Sequence, residues 1–316
     1  MLKQCRQEIY VNFLNTIINV FIINLMNEFK GKLGILVWSI VGECLKFIYK
    51  LGILTLNNVS LNRNYERKEH IVISLTSYGR RVNNVLPVVI YSLLCQTLKP
   101  DVIVLWLDKS WNNDNLPFSL KKLMKHGLTV KFCDDIRSYK KLIPSLEEYP
   151  ESIIITVDDD VYYRKNLVER LIECHNQNPG KVICNDAHFP TFSDDGTLNS
   201  YNYWNHDIDN KDNILVFPVG VGACLYKREY LHDDVLDKSK FMMLSPDADD
   251  IWFYFMAYIK GTGHIVLPYI GNVLIPVDNV YQLLHRKSNL SNQNYRESKN
   301  DIQLKAVMDY YNINLS

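Results

Sequence analysis

Three consecutive carboxylates, Asp158, Asp159 and Asp160, follow the run Ser152 to Val157, which reads SIIITV and is apolar enough for a buried central strand. Side chains alternate along a strand, so an extended chain sends Asp158 and Asp160 to one side and Asp159 to the other. Two carboxylates that converge repel each other unless positive charge lies between them. Hard oxygen ligands suit Mg²⁺ or Mn²⁺, and Mg²⁺ is commonly held by one or two carboxylates together with substrate phosphates. A nucleoside diphosphate is therefore the natural companion. An exposed acidic turn is the plainer alternative, and the buried strand ahead of it weighs against that.

Other groups belong to the same chemistry. Gly220 and Gly222 in FPVGVGACLY let a backbone approach a ligand, although such a pair equally often makes a turn or bulge, and the spacing fits neither a Walker loop nor a dinucleotide fingerprint. Asp247, Asp249 and Asp250 precede the apolar run IWFYFMAYI. N-capping and the helix dipole account for one carboxylate there more comfortably than for three. His285 in YQLLHRK is by itself an ordinary structural or exposed histidine. Arg137, Lys140 and Lys141 in RSYKK, like Arg80 and Arg81, can bring positive charge to donor phosphates, but a solvated helix face is their default reading.

The elements that must position these groups alternate. Ile71 to Leu75, Val102 to Leu107, Leu128 to Phe132 and Ile153 to Val157 read as strands, with Val182 to Cys184 as the next. Between them Asn84 to Cys95, Ser119 to His126 and Tyr139 to Glu148 read as helices, the last interrupted by Pro144. Asn166 with Glu169 has the spacing of a capping box opening a helix to about Asn176. This order predicts an α/β fold with a mostly parallel sheet and helices on both faces. Ligands of such sheets collect at the carboxyl ends of the strands, where Thr76, Ser77, Tyr78, Asp108 and the triple Asp fall.

Composition bounds the function. The chain has 316 residues, is 47% hydrophobic and balances 35 Lys plus Arg against 35 Asp plus Glu, so no general field favours nucleic acid. Seven scattered cysteines without a Cys-x-x-Cys pair read as buried small residues in a reducing compartment. Residues 1–60 form a separate apolar segment. Tyr10 to Met26 is uncharged but broken by Asn12, Asn15, Asn19 and Asn24, and no window makes a clean transmembrane helix. Interfacial helices fringed by Lys3, Lys30, Lys32, Lys46 and Lys50 are the expectation, with packing on the globular domain or a partner chain as the alternative. The polar stretch Asn57 to His70 links this segment to a second domain over 70–316.

Taken in order, Thr76-Ser77-Tyr78, Asp108, Asp158-Asp159-Asp160, the glycine loop, Asp249-Asp250 and the late His285 resemble metal-dependent glycosyltransferases of the GT-A fold, family 2-like, over about Ile71 to His285. The resemblance implies a Rossmann-like GT-A domain. In it, Asp158 and Asp160 act as the D-x-D carboxylates, with His285 as a further ligand of Mn²⁺ or Mg²⁺. Asp250, or Asp249 beside it, is the catalytic base. Thr76, Tyr78, Asp108, Lys140, Asp158, Gly220 and Gly222 lie around the nucleotide-sugar donor, a UDP-sugar by expectation. The acidic pair is Asp249-Asp250 where the family has Glu-Asp. The implied activity is inverting sugar transfer to a glycan or lipid-linked acceptor in bacterial surface polysaccharide synthesis, at the cytoplasmic face of a membrane. The competing readings are a nucleotidyltransferase and a non-catalytic scaffold of the same fold.

Overall fold

The computed structural model describes residues 39, 40, 42–44, 46–48, 50, 51, 60, 61, 67–206, 208, 211–268, 275–284 and 298–315. His285 lies outside them, as does most of the apolar segment 1–60.

The chain lays down β1 (Ile71–Thr76), a helical turn and α1 (Leu86–Leu94), then β2 (Val102–Asp108), α2 (Phe118–Met124) and β3 (Leu128–Cys133). A short 3-10 turn, Arg137–Lys141, leads into α3 (Ile143–Glu148) and β4 (Ile153–Thr156). The strands β5 (Val161–Tyr162), β6 (Val182–Cys184), β7 (Ala187–His188), β8 (Lys211–Asn213), β9 (Phe217–Pro218) and β10 (Cys224–Tyr226) follow, with α4 (Leu167–Gln177) between β5 and β6. Last come α5 (Lys238–Leu244), α6 (Asp249–Lys260), β11 (His264–Val266), β12 (Ile275–Pro276), α7 (Asn279–Leu284) and α8 (Lys299–Tyr311).

Eight strands form one sheet in the order β3-β2-β1-β4-β10-β6-β11-β8. The pairs among β3, β2, β1 and β4 are parallel, as is β6 with β11, whereas β10 runs antiparallel to both β4 and β6, and β8 antiparallel to β11. The mostly parallel α/β sheet predicted from the alternation is thus present. The wedge of antiparallel β10 beside the triple-Asp strand was not predicted, because a three-residue apolar stretch carries no directional signal.

Period-2 alternation divides β1 between two cores: Ile71, Ile73 and Leu75 face one side and Val72 the other. β4 divides likewise, with Ile153 and Ile155 against Ile154. The second face admits polar groups only as a bonded set. Ser74 and Ser145 share a hydrogen bond of 2.7 Å, and the Trp106 indole N–H donates to Ser145 Oγ at 2.8 Å, so none of these buried groups is left unsatisfied.

One capping expectation and one helix boundary differ from what is observed. Asn166 makes no side-chain cap on α4, and Glu169 instead accepts a hydrogen bond from Thr97 Oγ1 at 2.9 Å, since that hydroxyl competes for the carboxylate. Asn84 ends a helical turn, and α1 starts at Leu86 without a side-chain cap.

Candidate active site

The chain leaves the strand after Thr156, so Asp158 to Asp160 occupy a turn and do not alternate as an extended strand would. The consequence is a different partition of the three carboxylates. Asp159 and Asp160 both face Arg81, at 2.8 and 2.9 Å from its two terminal nitrogens, and Ser77 Oγ also donates to Asp159. Asp158 turns the other way, to the Lys141 ammonium at 3.2 Å. Its backbone N–H donates to Tyr163 Oη at 2.8 Å, and that hydroxyl donates on to the Val221 carbonyl at 3.1 Å, which ties the triple-Asp turn to the glycine loop.

Lys141 is the hub. Besides Asp158 it lies 3.0 Å from Asp249 Oδ2 and 3.8 Å from Asp250 Oδ1, with its side chain only 7% exposed. Burial alone would push the ammonium down; Asp158, Asp249 and Asp250 more than reverse that and hold it well above the ordinary lysine value. The solvated-face reading of RSYKK therefore fails for both lysines, which are buried. Lys140, expected beside the donor, pairs with Asp135 and lies close enough to Asp108 to favour its ionised form. It is Lys141 that reaches the triple-Asp turn.

Asp249 and Asp250 open α6, yet its N-cap is Ala248 and carries no side-chain cap. The carboxylates look inward instead. Asp249 is buried against Lys141, while Asp250 stays half-open, its side chain 27% exposed, and accepts the Gly220 N–H at 3.1 Å. Burial, together with Asp249 and Asp158 nearby, pushes the Asp250 carboxyl up to about 7 against the opposing pull of Lys141.

The glycine loop is fitted to this cluster. A Cβ at Gly220 would stand 2.6 Å from Asp250 Oδ1 and 2.7 Å from Lys141 Nζ, and one at Gly222 would collide with Asp186. Ala223, at φ 82 and ψ 136, holds a backbone region that normally needs glycine, at a cost of roughly 1–3 kcal/mol. Gly220→Ala is accordingly expected to displace both neighbours and lower turnover about 10²-fold. Steady-state kinetics on a variant with unchanged circular dichroism reads this, and wild-type kinetics would show that the loop has room to spare.

Of the remaining predicted residues, Thr76 donates to the Trp106 carbonyl at 2.8 Å, Asp108 accepts the backbone N–H of Ser110 at 2.9 Å, and Tyr78 is 62% exposed. All three sit at the carboxyl ends of β1 and β2 or just beyond, facing the same end of the sheet as the triple Asp. Sequence reasoning passed over Asp278. It pairs with Arg80 through Oδ2, and its Oδ1 is buried without a hydrogen-bond partner. No local pattern marks it, since it reaches the site from the far end of the chain.

Three carboxylates, Asp159, Asp160 and Asp278, thus share a corner with Arg80 and Arg81, while Asp158 pairs with Lys141 beside them. Burial, with Asp159, Asp158 and Asp278 nearby, pushes Asp160 up to about 7 despite Arg81. Among the described residues no three His, Cys, Asp or Glu side chains converge as a ready-made metal site. The surplus negative charge, the all-oxygen donors and the orphaned Asp278 Oδ1 do fit a hard divalent cation that completes its shell with phosphate oxygens.

A separate cleft of about 790 Å³ opens at the opposite ends of the strands, lined by residues including Lys68, His175, Lys227 and Lys260. His175 and Lys260 lie in the last turns of α4 and α6, so basic groups there complement helix C-termini.

No family model and no curated sequence matches this chain. Among solved structures, it is similar to a CMP:2-keto-3-deoxy-manno-octonic acid synthetase complexed with CTP, at 12% identity over 70% of this chain and 100% of that one, with a TM-score of 0.42. A 4-diphosphocytidyl-2C-methyl-D-erythritol synthase aligns at 13% identity, TM-score 0.43, over 70% of this chain and 100% of its own. Residues 1–349 of S. aureus TarS align at 15% identity, TM-score 0.43, over 65% of this chain and 59% of that one.

Proposed function

We propose that the protein is an inverting glycosyltransferase that moves a sugar from a nucleoside-diphosphate sugar, with UDP as the expected nucleotide, to a hydroxyl of a glycan or lipid-linked acceptor. The observation that carries this reading is the meeting of two acidic halves at one ammonium: Asp158 on the triple-Asp turn and Asp249 and Asp250 at the start of α6 all reach Lys141. One half suits a leaving diphosphate and the other a nucleophile. Transfer of a nucleotide to a phosphate or carboxylate needs no base, because that nucleophile is already ionised. A half-open carboxylate poised near neutrality is what a neutral hydroxyl needs.

In this reading the acceptor hydroxyl gives its proton to Asp250 as its oxygen bonds to the anomeric carbon. The bond from that carbon to the diphosphate breaks on the opposite face, and the electron pair leaves with the nucleoside diphosphate. The Gly220 N–H and Lys141 hold Asp250 in place and keep its ionised form accessible. Asp158 and Asp160 would hold Mn²⁺ or Mg²⁺ together with the donor phosphates once Asp158, which faces Lys141 in this structure, turns back toward Asp160, and a cation bound there would neutralise negative charge on the leaving group. Arg81 keeps Asp159 and Asp160 in a fixed arrangement, a positioning role.

The test offers purified protein a panel of sugar nucleotides and nucleoside triphosphates with Mn²⁺, Mg²⁺ or chelator. Release of nucleoside diphosphate from a sugar nucleotide, abolished by chelator, is expected. Pyrophosphate release from a triphosphate would establish nucleotidyl transfer instead, and absence of both turnover and nucleotide binding would leave the scaffold reading.

A further inference from the structure

The described residues between 39 and 51 are helical, and one side of this helix turns large apolar side chains outward. The opposite side is covered at Ser39, 4% exposed, and at buried Gly42, where a Cβ would stand 2.5 Å from the Pro276 carbonyl oxygen. The apolar side is bare. Ile40 is 56% exposed, Phe47 66% and Leu51 49%, with Cys44 exposed between them. At 3.6 residues per turn these four positions fall within an arc of about 60°. A stripe of large apolar side chains turned outward is the pattern of a surface that something else covers.

Two features of the chain favour a bilayer as that cover. Residues 1–38 lead directly into the helix and hold the uncharged run Tyr10 to Met26 and the start of the uncharged run Leu33 to Gly42. The stripe's edge carries Glu43 and Lys50, both exposed, and Lys46 pairs with Glu43 at 2.5 Å, as on an interfacial helix whose charged margin stays in water. Among the described residues no helix is long and apolar enough to cross a membrane.

The position of the helix gives the surface a direction. Gly42 rests on Pro276 of β12, which pairs with β5, and the Val277 N–H donates to the Asp160 carbonyl at 2.7 Å. One short strand separates the covered side of the helix from the triple-Asp turn, and the stripe lies on the helix's outer side. We propose that the stripe Ile40, Cys44, Phe47 and Leu51 docks on the surface of a phospholipid bilayer and thereby holds the mouth of the triple-Asp site beside the lipid headgroups. A lipid-linked acceptor then enters from the membrane side; this last clause rests on the transferase reading, whereas the docking does not.

The experiment uses the full chain and vesicles of phosphatidylethanolamine and phosphatidylglycerol. In flotation, wild-type protein is expected to rise with the vesicles at high as well as low salt, since apolar burial resists screening. The triple variant Ile40→Ser, Phe47→Ser, Leu51→Ser, which retains residues 1–38, is expected to lose partitioning by roughly a hundredfold. The chain already holds five tryptophans, so Phe47→Trp is read against wild type and is expected to add fluorescence that lipids brominated on the acyl chains quench, a readout that stands even where the triple variant misfolds. Flotation of the triple variant like wild type, an unquenched Trp, or a dimer that the triple variant dissolves without any vesicle affinity would overturn the proposal, the last assigning the stripe to a second copy of the chain. None of these readouts involves turnover, so their failure is separate from failure of the transferase reading.

Discussion

Asp250→Asn is expected to lower the transfer rate by about 10²- to 10⁴-fold while nucleotide-sugar affinity stays within a few-fold of wild type. Asn is nearly isosteric and its carbonyl can still accept the Gly220 N–H, so the loop geometry survives and only the proton acceptor is lost. The pH dependence gives the sharper readout. Asp250 must be ionised to take a proton, and its carboxyl is pushed up to about 7, mainly by burial. Wild-type kcat/KM is therefore expected to rise with pH and level off above about 7. The residual rate of the Asn variant should lack that limb. Asp249→Asn serves as the comparison, because Asp249 is buried against Lys141 and less open to an acceptor. A full loss in Asp249→Asn with a mild effect in Asp250→Asn, measured as kcat and KM across pH, would exchange their roles.

Lys141→Met should damage both fold and activity. The methionine keeps most of the volume but leaves Asp158, Asp249 and Asp250 without the cation they share. Removing one partner of a buried ion pair typically costs about 3–5 kcal/mol, because the remaining charge stays buried and uncompensated. At about 2–4 °C per kcal/mol for a protein of this size, Tm should fall by several degrees or more. Turnover should fall to background, since the base and the triple-Asp turn lose their common anchor. Adding Asp249→Asn to Lys141→Met removes one of the stranded charges and is expected to recover part of the stability but not the activity. Lys141→Arg should not rescue, because the space around Nζ is closed by Gly220 and the carboxylates. Thermal denaturation of the single and double variants checks the charge argument. Additive losses would show that Lys141 and Asp249 do not interact.

Much of the scaffold was legible because its signals are local. The apolar runs that became β1 to β4 and the helices between them stand out by period and by the breakers that bound them, and those strands lie within a few residues of the ranges read from sequence. The placement of Thr76, Asp108 and the triple Asp at one end of the sheet followed from chain direction alone. Strand order did not. Antiparallel β10 between β4 and β6 is set by which edges are left to pair after the chain has folded back.

The assignment of cations was the least legible part. Lys140 and Lys141 are neighbours in a 3-10 turn of about three residues per turn, so successive side chains point well apart. Nothing in RSYKK says which of them turns to Asp158 and which to Asp135. The alternation argument for Asp158 and Asp160 likewise assumed a strand that the chain leaves at Thr156.

By itself, then, the sequence determined that acidic groups gather at the carboxyl end of a mostly parallel sheet, because periodicity and chain direction are local properties that need no partner. Only the tertiary structure decided which positive group answers each carboxylate. Arg80 meets Asp278 across 198 residues of chain, and Lys141 joins Asp158 to Asp249 and Asp250. Charge pairing acts through space over a few ångströms, and the distances that govern it exist only once the strands and helices have packed.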